Sequence, residues 1–414
     1  MSILFRTLMT SVMGLIAPAL SYAQNLNGTW NGMLEVNKTT RLAIVINISE
    51  DGNGHTQCTM DSPDQGAKGI ATEINHLSVD SINISIPRIG AGYRGKLSND
   101  TIRGQFIQMG MPFRLNLSRG NVERVRPQTP APPYPYTTEE VVFNSGDASL
   151  SGTITYPSGY TQYEPVPMVV MVSGSGLQNR DEELYGHKPF LVMADYLARN
   201  GIASLRYDDR GVGKSTGRVD DATTMTFMHD AEAALEYVSR QGKMFSRKGV
   251  LGHSEGGSIA FMLGARGMAD FLVCLAAPGI KGDSIIAWQY NKVSERNGIT
   301  KRANTHDIKT NAENDTNVWL RFFVNYDPAA DISKTRCPVM ALNGTRDMQV
   351  DAEANLKAIK DNLPANTKNM IKRYDGLNHL FQHCDSGMPD EYGRIEETIA
   401  PEVMKDIVEW VKRL

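Results

Sequence analysis

A serine set among glycines is the strongest candidate for chemistry in this sequence. Residues 252–256, G-H-S-E-G, follow one apolar run and precede another, so Ser254 lies where a buried strand would turn into a helix. The pattern G-x-S-x-G is typical of a sharp turn that exposes a serine hydroxyl, and side chains in place of the glycines would collide with neighbouring elements. A glycine-rich turn without catalytic function can have the same five-residue pattern, so the interpretation depends on finding an acid and a base for Ser254 elsewhere in the sequence.

A nucleophilic serine needs a base, and the base needs an acid that holds it in the correct tautomer. In a chain of alternating strands and helices we expect the acid and then the histidine in loops after later strands. Residues 337–351, CPVMALNGTRDMQVD, form an apolar strand pattern followed by Asp347 and Asp351. Asp347 is nearer to the strand end and is the predicted acid, whereas Asp351 fits the N-cap of the following helix.

The predicted base is His379. Residues 370–384, MIKRYDGLNHLFQHC, contain a strand pattern, a glycine turn and then two histidines. His379 lies in the loop at the expected distance, and His383 lies one helical turn further on, where a polar surface residue is expected. His253 precedes the serine directly, and we expect it to point away from the turn and to serve in packing.

Acyl transfer also requires hydrogen-bond donors for the developing oxyanion. One predicted donor is the backbone N–H of Glu255, the residue after the serine. The other should come from the loop 173–182, SGSGLQNRDE, which follows the apolar strand PMVVMV and whose small residues allow close approach of backbone amides. The predicted donor there is the N–H of Ser175, with Gly176 as the alternative.

The elements that must position these residues form an α/β pattern. From about residue 138, two short strand patterns are followed by uninterrupted apolar runs that alternate with amphipathic stretches. This alternation predicts a doubly wound, mostly parallel sheet that is covered by helices on both faces. Ser254 then follows the third parallel strand and lies at the carboxyl end of a central strand, where open α/β sheets bind ligands.

The alternation is interrupted between about residues 280 and 335, where two helical stretches are rich in aromatic residues. We predict a helical cap insertion over the carboxyl edge of the sheet. Trp319, Phe322 and Phe323 are candidates for lining a substrate pocket, although packing of the insertion on the main domain would account for them equally well.

The N-terminal part has a different organisation. Residues 1–23 have a positive start, an apolar stretch and a small-residue end, which is typical of a cleavable export signal, and predict a secreted or periplasmic protein. Residues 24–123 show short strand patterns with turn signals, which predict a small all-β domain. Residues 124–137 are rich in proline and are predicted to be a stiff linker to the domain at 138–414. Trp30 in the β-domain could stack on a sugar, but a core position is the more natural interpretation.

Composition excludes several classes of function. The formal net charge of −3, with 41% hydrophobic and 21% charged residues, indicates a globular protein and argues against nucleic acid and anionic membranes as partners. The apolar stretch at the N-terminus is short for a membrane span. The four cysteines are too scattered for a disulfide framework, and no metal-ligand spacing is present. The oligomeric state stays open.

From about residue 138 onward, roughly two thirds of the chain, the sequence resembles the α/β-hydrolase superfamily. The motifs that carry this resemblance are G-H-S-E-G at 252–256, Y-D-D-R-G-V-G-K-S at 207–215, N-G-T-R-D at 343–347 and G-L-N-H at 376–379. The segment from residue 186 to residue 217 is similar to a group of bacterial carboxylesterases that carry an extra β-rich domain before the hydrolase.

The resemblance has implications for two further segments. S-G-S-G at 173–176 stands where many members have a histidine–glycine oxyanion loop, so that Ser173 replaces the histidine. The D-D-R-G segment, Asp208 to Gly211, is structural in the family and braces loops near the site.

The sequence therefore predicts a serine hydrolase of carboxylic esters that acts on a small-molecule ester through an acyl-enzyme and needs no cofactor. A peptidase on the same scaffold is the alternative, since fold alone does not decide the reaction. An aminopeptidase would need an acidic anchor, for which Asp181, Glu182 and Glu183 are candidates, but a charged surface loop is the simpler interpretation. A non-catalytic protein that binds a glycan or a protein partner is the third hypothesis.

Overall fold

The computed structural model describes residues 26–36, 41–121, 124–161, 163–240 and 245–414. The predicted export signal at 1–23 lies outside the described residues. The chain divides into two compact units, Met1–Ser62 with Lys68–Val122 and Pro63–Ala67 with Glu123–Leu414.

The first unit is built from antiparallel strands, as the alternating pattern predicted. In the described residues the sheet has the order β4-β3-β2-β1-β9-β8-β7-β6-β5. Its strands are β1 (Gly28–Glu35), β2 (Arg41–Glu50), β3 (Thr56–Ser62), β4 (Ala67–Ala71), β5 (Glu73–Leu77), β6 (Ser81–Ile86), β7 (Ala91–Ser98), β8 (Thr101–Gln108) and β9 (Met111–Arg119). Single turns of 3₁₀-helix follow β3, at Pro63–Gln65 in the segment that belongs to the second unit, and β6, at Pro87–Ile89.

Trp30 belongs to the core of this first unit. Its side chain is fully buried, and its indole N–H donates to the Leu26 carbonyl over 2.7 Å. A buried indole usually finds such an acceptor, because an unpaired N–H would be costly. The core interpretation of Trp30 is therefore confirmed, and its ring is not available to stack on a sugar.

The second unit contains the mixed sheet predicted from the apolar runs. Its strands are β10 (Thr137–Ser145), β11 (Ala148–Tyr156), β12 (Val166–Val172), β13 (Ala203–Tyr207), β14 (Phe245–His253), β15 (Phe271–Leu275), β16 (Val339–Gly344) and β17 (Met370–Tyr374). The order is β10-β11-β13-β12-β14-β15-β16-β17, with antiparallel pairing up to β13 and parallel pairing from β13 to β17. β14, the third parallel strand in the sequence, is central in this order.

Helices cover both faces of the sheet. They are α1 (Pro189–Arg199), α2 (Thr224–Arg240), α3 (Glu255–Ala265), α4 (Gly282–Arg296), α5 (Thr305–Glu313), α6 (Val318–Asn325), α7 (Ala329–Lys334), α8 (Ala352–Asn362), α9 (Pro389–Tyr392) and α10 (Pro401–Arg413). One apolar core joins the sheet to α2, α3 and α8, and a second joins its other face to α1 and α10. The predicted doubly wound, mostly parallel sheet is confirmed.

The helical insertion consists of α4, α5, α6 and α7, between β15 and β16. A small apolar cluster holds the first three of these helices together, with Ala287, Ile308 and Val324 as buried members. Among the described residues, none of the helices combines the length and the apolar character that a membrane span requires.

The proline-rich stretch does not stand free of the second unit. The Arg126 guanidinium donates to the carbonyls of Gly393 and Ile395 over 2.8 and 2.9 Å, and the Gln128 side-chain amide donates to the Ile399 carbonyl over 2.7 Å. These bonds dock the residues before β10 onto the unit that β10 begins. The proline-rich stretch is therefore hydrogen-bonded to the second unit, a contact that its composition did not predict.

Candidate active site

Ser254 lies on a strained turn between β14 and α3. β14 ends at His253 and α3 begins at Glu255, so the turn consists of Ser254 alone, with φ 53° and ψ −117°. A positive φ is unfavourable for a residue with a side chain and persists only where the surroundings enforce it. A Cβ atom on Gly252 would lie 2.0 Å from the Gly256 carbonyl oxygen, so the tight turn requires glycine there. The strand–turn–helix arrangement predicted from G-x-S-x-G is present.

Asp347 and His379 form a buried hydrogen-bonded pair in the loops after β16 and β17. Their Oδ2 and Nδ1 atoms are 2.8 Å apart, and both residues are 3% exposed. The other carboxylate oxygen of Asp347 accepts the backbone N–H groups of Gln349 and Val350, both over 2.8 Å. Because the carboxylate accepts, Nδ1 carries the proton and Nε2 of His379, which has no hydrogen-bond partner among the described residues, can act as a base.

The two alternative residues have other roles. Asp351 caps α8, since its carboxylate accepts the N–H of Ala354 over 3.2 Å, as the sequence predicted. The His383 ring is 56% exposed and pairs with the carboxylates of Glu397 and Glu402. Neither residue reaches the Asp347–His379 pair.

His253 differs from the sequence expectation of a packing residue that points away from the site. Its Nε2 lies 3.0 Å from the backbone oxygen of His379, and the two ring centroids are 4.8 Å apart. Its Nδ1 lies 2.9 Å from Glu182 Oε1. The expectation is therefore wrong, because a buried imidazole needs hydrogen-bond partners and finds them in the loop of the candidate base. This contact also holds the His379 loop against the turn that carries Ser254.

The loop after β12 approaches the candidate nucleophile closely. A Cβ atom on Gly174 would lie 3.2 Å from Ser254 Cβ, and the Gly174 N–H donates to Glu182 Oε1 over 2.8 Å. Within the described residues no acceptor takes the N–H of the next residue, Ser175, and the N–H of Glu255 is at the first position of α3, where helices leave such groups unpaired. Among the described residues, neither amide that the sequence proposed as an oxyanion donor is therefore engaged by another acceptor.

The side chain of Glu255 makes contacts that sequence reasoning missed. Its carboxyl group is 2% exposed and accepts hydrogen bonds from the Thr224 hydroxyl and, over 2.7 Å, from the Trp319 indole N–H. Burial raises the pKa of Glu255 above its ordinary value, although Thr224, Trp319 and the Ser175 hydroxyl act in the opposite direction. The only signal in the sequence is an acidic residue inside an otherwise apolar run.

The three aromatic candidates lie on α6 in different surroundings. Trp319 contacts Glu255 and stacks on Phe323, with ring centroids 5.1 Å apart. Phe323 is 6% exposed and shares a buried apolar cluster with Ile285 of α4 and Val350 of the loop after β16. Phe322 stacks on Tyr326 and packs against the apolar core of the sheet. Of the three, Trp319 is the side chain that touches the residue next to Ser254.

The D-D-R-G segment connects the loops around the site. The Asp208 carboxylate accepts from Arg180, and the Asp209 carboxyl accepts the Gln178 N–H over 2.8 Å in the loop that holds Ser175. Burial raises the pKa of Asp209 to about 8. Burial also opposes ionisation of Asp208, but the hydrogen bonds from Arg180 lower its pKa below the ordinary value. These contacts are those expected of a bracing segment.

The acidic run at 181–183 is only in part the charged surface loop that the sequence suggested, since Glu183 is exposed and Glu182 is buried. Glu182 is 2% exposed and bonded to His253, Asp181 pairs with Arg206 and Glu183 with Lys188. The expectation is wrong for Glu182 because its carboxylate is bonded to His253, 71 residues along the chain, and to the Gly174 N–H. In the parts of the chain that the structure describes, no three histidine, cysteine or acidic side chains converge to hold a metal ion.

Comparison with known proteins gives two sequence matches. Residues 188–317 match the family model described as serine aminopeptidase, S33. The chain is also 30% identical over 281 residues to esterase EstD of Thermotoga maritima, a match that covers 63% of this chain and 65% of the relative. The chain thus spans slightly less than two thirds of the length of the curated relative that it matches.

Several solved structures are similar at low sequence identity. Est1E from Butyrivibrio proteoclasticus, with bound ferulic acid, is 18% identical with a TM-score of 0.46, over 66% of this chain and 96% of that chain. The Pyrococcus furiosus esterase Pf2001 is 15% identical with a TM-score of 0.47, over 71% and 99%. Proline iminopeptidase from Mycobacterium smegmatis is 13% identical with a TM-score of 0.45, over 66% and 98%.

Proposed function

We propose that this chain, a member of the α/β-hydrolase superfamily as its motifs predicted, is a serine hydrolase of carboxylic esters. Ser254 is the nucleophile, His379 the base and Asp347 the acid that orients the base. The observation that carries the proposal is the buried 2.8 Å hydrogen bond between His379 and Asp347, in a loop held against the turn of Ser254.

The proposed reaction uses two acyl transfers. Ser254 Oγ attacks the ester carbonyl while its proton passes to His379 Nε2, and Asp347 stabilises the resulting imidazolium. The oxyanion accepts the N–H groups of Glu255 and Ser175. His379 then gives its proton to the departing alcohol. Water, deprotonated by the same nitrogen, attacks the acyl-enzyme, and His379 returns this proton to Ser254 Oγ as the bond to the acyl group breaks and the carboxylic acid leaves.

One structural observation favours esters over peptides with a free amino terminus. An aminopeptidase requires an unpaired acidic group to bind the substrate ammonium, and the three candidates at 181–183 are engaged. Glu182 accepts from His253 and Gly174, and the other two acids pair with basic side chains. We therefore prefer the esterase to the peptidase, whereas a purely binding function leaves the buried Asp347–His379 pair without a role.

The substrate is proposed to be a small-molecule ester, and the place of action the periplasm or the medium. The substrate class follows from the proposed reaction, and the place of action rests on the composition of residues 1–23. Amino-terminal sequencing of the protein recovered from the periplasm or medium tests the place of action, and an intact amino terminus would contradict it.

The decisive experiment is hydrolysis of p-nitrophenyl esters from acetate to decanoate, with alanine p-nitroanilide alongside. Ser254→Ala is expected to lose about 10⁴-fold or more in kcat. Ser258→Ala is the matched control, since this buried serine lies one helical turn further along α3 and its hydroxyl has no partner among the described residues. Ester turnover that survives in Ser254→Ala would refute the proposal, and amide cleavage that equals ester cleavage would indicate the peptidase.

A further inference from the structure

A second acid–histidine pair lies directly beside the proposed triad. Glu182 Oε1 and His253 Nδ1 are 2.9 Å apart, and the two side chains are 2% and 7% exposed. On the other side of the ring, His253 Nε2 lies 3.0 Å from the backbone oxygen of His379. The proposed reaction assigns no step to either side chain, although burial of such a pair is costly.

The partners of His253 determine its charge. A backbone carbonyl oxygen can only accept, and Glu182 Oε1 already accepts the Gly174 N–H over 2.8 Å. Both ring nitrogens therefore face acceptors, an arrangement that a doubly protonated ring satisfies. Burial opposes this charge, but Glu182, together with Asp347 and the His379 carbonyl, raises the pKa of His253 above its ordinary value.

A second buried histidine of the same unit provides the contrast. His187 is fully buried, with Nδ1 3.0 Å from the Thr398 hydroxyl and Nε2 2.9 Å from the Tyr392 carbonyl and 3.1 Å from the Gln382 side-chain amide. A hydroxyl can donate as well as accept, so a neutral ring with its proton on Nε2 satisfies the contacts with Thr398 and Tyr392. Burial lowers the pKa of His187 to about 4. The charge on His253 is thus a consequence of its partners and not of burial as such.

The pair connects the three segments that the proposed chemistry requires. Glu182 holds the N–H of Gly174, whose neighbour Ser175 supplies a proposed oxyanion donor. His253 is covalently next to Ser254 and is hydrogen-bonded to the backbone of His379. One carboxylate and one imidazolium therefore link oxyanion loop, nucleophile and base.

The loop of Glu182 is built to direct this side chain inward. Glu182 has φ 50°, an unfavourable value for a residue with a Cβ atom, of the kind that persists only when surroundings enforce it. Its N–H donates to the Asn179 carbonyl over 2.8 Å, and the Asn179 side-chain oxygen accepts the N–H groups of Asp181 and Glu183 over 3.0 and 3.2 Å.

We propose that Glu182 and His253 are positioning residues, a buried carboxylate–imidazolium pair that sets the relative placement of the Ser175 amide, Ser254 and His379. The assignment of a catalytic effect rests on the proposed function, whereas the ion pair itself does not. A misplacement of reacting groups by about 1 Å can cost on the order of 10²-fold in rate, so loss of the pair should lower kcat more than it raises KM.

The charge state is tested first, by NMR of the full chain labelled with ¹⁵N at histidine. At pH 6.5 we expect His253 to be mostly protonated on both ring nitrogens, because its pKa is raised, and His187 to be neutral as an internal reference. The His253 signals are assigned by their absence in His253→Gln. Glu182→Gln should convert His253 to a neutral ring. A neutral His253 in the wild type overturns the proposal, and this result does not depend on whether the protein hydrolyses esters.

Kinetics test the positioning role. Glu182→Gln and His253→Gln are each expected to lower kcat for p-nitrophenyl acetate by about tenfold to a hundredfold, with KM changed by less than about threefold. The double variant should lose less than the product of the single losses, because each single variant leaves a buried partner unpaired. His187→Gln should retain wild-type kcat, because the His187 ring contacts Thr398, Tyr392 and the Gln382 side chain and, among the described residues, no member of the proposed triad.

Unchanged kcat in Glu182→Gln, or an equal loss in His187→Gln, would overturn the positioning role. If His253→Gln does not fold, the kinetics of Glu182→Gln still test the positioning role, and the wild-type NMR spectrum still tests the charge of His253. Activity that persists in Ser254→Ala would refute the proposed function but would leave the spectroscopic result on the ion pair intact.

Discussion

The Trp319 indole N–H donates to the Glu255 carboxyl group over 2.7 Å and thereby fastens α6 of the insertion to the residue that follows Ser254. Both groups are polar and largely shielded from water, so each would lose a partner if the other were removed. The insertion is thus connected to the candidate nucleophile through a side chain and not by packing alone. This contact makes Trp319 the aromatic residue of α6 whose replacement should affect substrate binding most directly.

Trp319→Phe removes this hydrogen bond while it retains most of the aromatic surface. We expect a loss of about 1 kcal/mol in unfolding free energy and a several-fold rise in KM for p-nitrophenyl esters. Denaturant unfolding and steady-state kinetics measure the two effects. Trp288→Phe is the control, because the Trp288 indole nitrogen has no acceptor within the described residues. Equal effects in both variants would show that the hydrogen bond is unimportant.

Asp347→Asn should separate the role of this acid from that of Asp351. The amide can still accept the N–H groups of Gln349 and Val350, but it no longer stabilises the imidazolium of His379, so kcat should fall by about 10⁴-fold with little loss of stability. Asp351→Asn should retain kcat, since asparagine is also a good N-cap. A reversal of the two outcomes in an esterase assay would reassign the acid.

Asp209→Asn should change how stability depends on pH. Asp209 has a pKa of about 8 in the folded protein and an ordinary value of about 4 when unfolded, so above pH 4 the folded state binds a proton that the unfolded state has lost. This group therefore lowers the free energy of unfolding progressively as the pH rises from 4 to 8. The variant should be more stable than the wild type by a difference that grows over this interval and is constant above it.

Asp208→Asn is the control for this measurement, because it should change the free energy of unfolding in the opposite direction. The lowered pKa of Asp208 contributes stability above pH 4 that is lost as the pH falls through the folded-state pKa. This variant should therefore be less stable than the wild type at neutral pH, with a difference that disappears in acid. Urea unfolding at several pH values measures both, and a pH-independent difference for Asp209→Asn would contradict the assignment.

Gly174→Ala should disturb the site with little effect on the fold. The new Cβ would lie 3.2 Å from Ser254 Cβ and 3.4 Å from both Glu182 Oε1 and the His253 carbonyl oxygen, so the loop must shift by a few tenths of an ångström. We expect kcat to fall by about tenfold while the melting temperature changes by a few degrees at most. Gly52→Ala, with nothing within 4 Å of the added atom, is the control. Wild-type kcat in Gly174→Ala would show that this loop tolerates the shift.

The parts of the molecule that follow from local pattern could be predicted from the sequence. The apolar runs specify the parallel strands, because strands buried on both faces leave no room for polar residues. The glycines around Ser254 specify the turn, because a Cβ atom on Gly252 would overlap the backbone of α3 and one on Gly256 would overlap the Val172 carbonyl at the end of β12. Asp351 was predicted as an N-cap from its place before a helical pattern. Each of these features depends on residues that are close to one another in the sequence.

The features that the sequence did not determine are buried polar contacts between distant segments. Glu182 and His253 are 71 residues apart, and Glu255 and Trp319 are 64 residues apart. In sequence, Glu182 belongs to a charged run and His253 to an apolar one, and neither environment indicates a partner. A charged side chain is buried only where the fold supplies a matching group, and the tertiary structure alone brings these groups together.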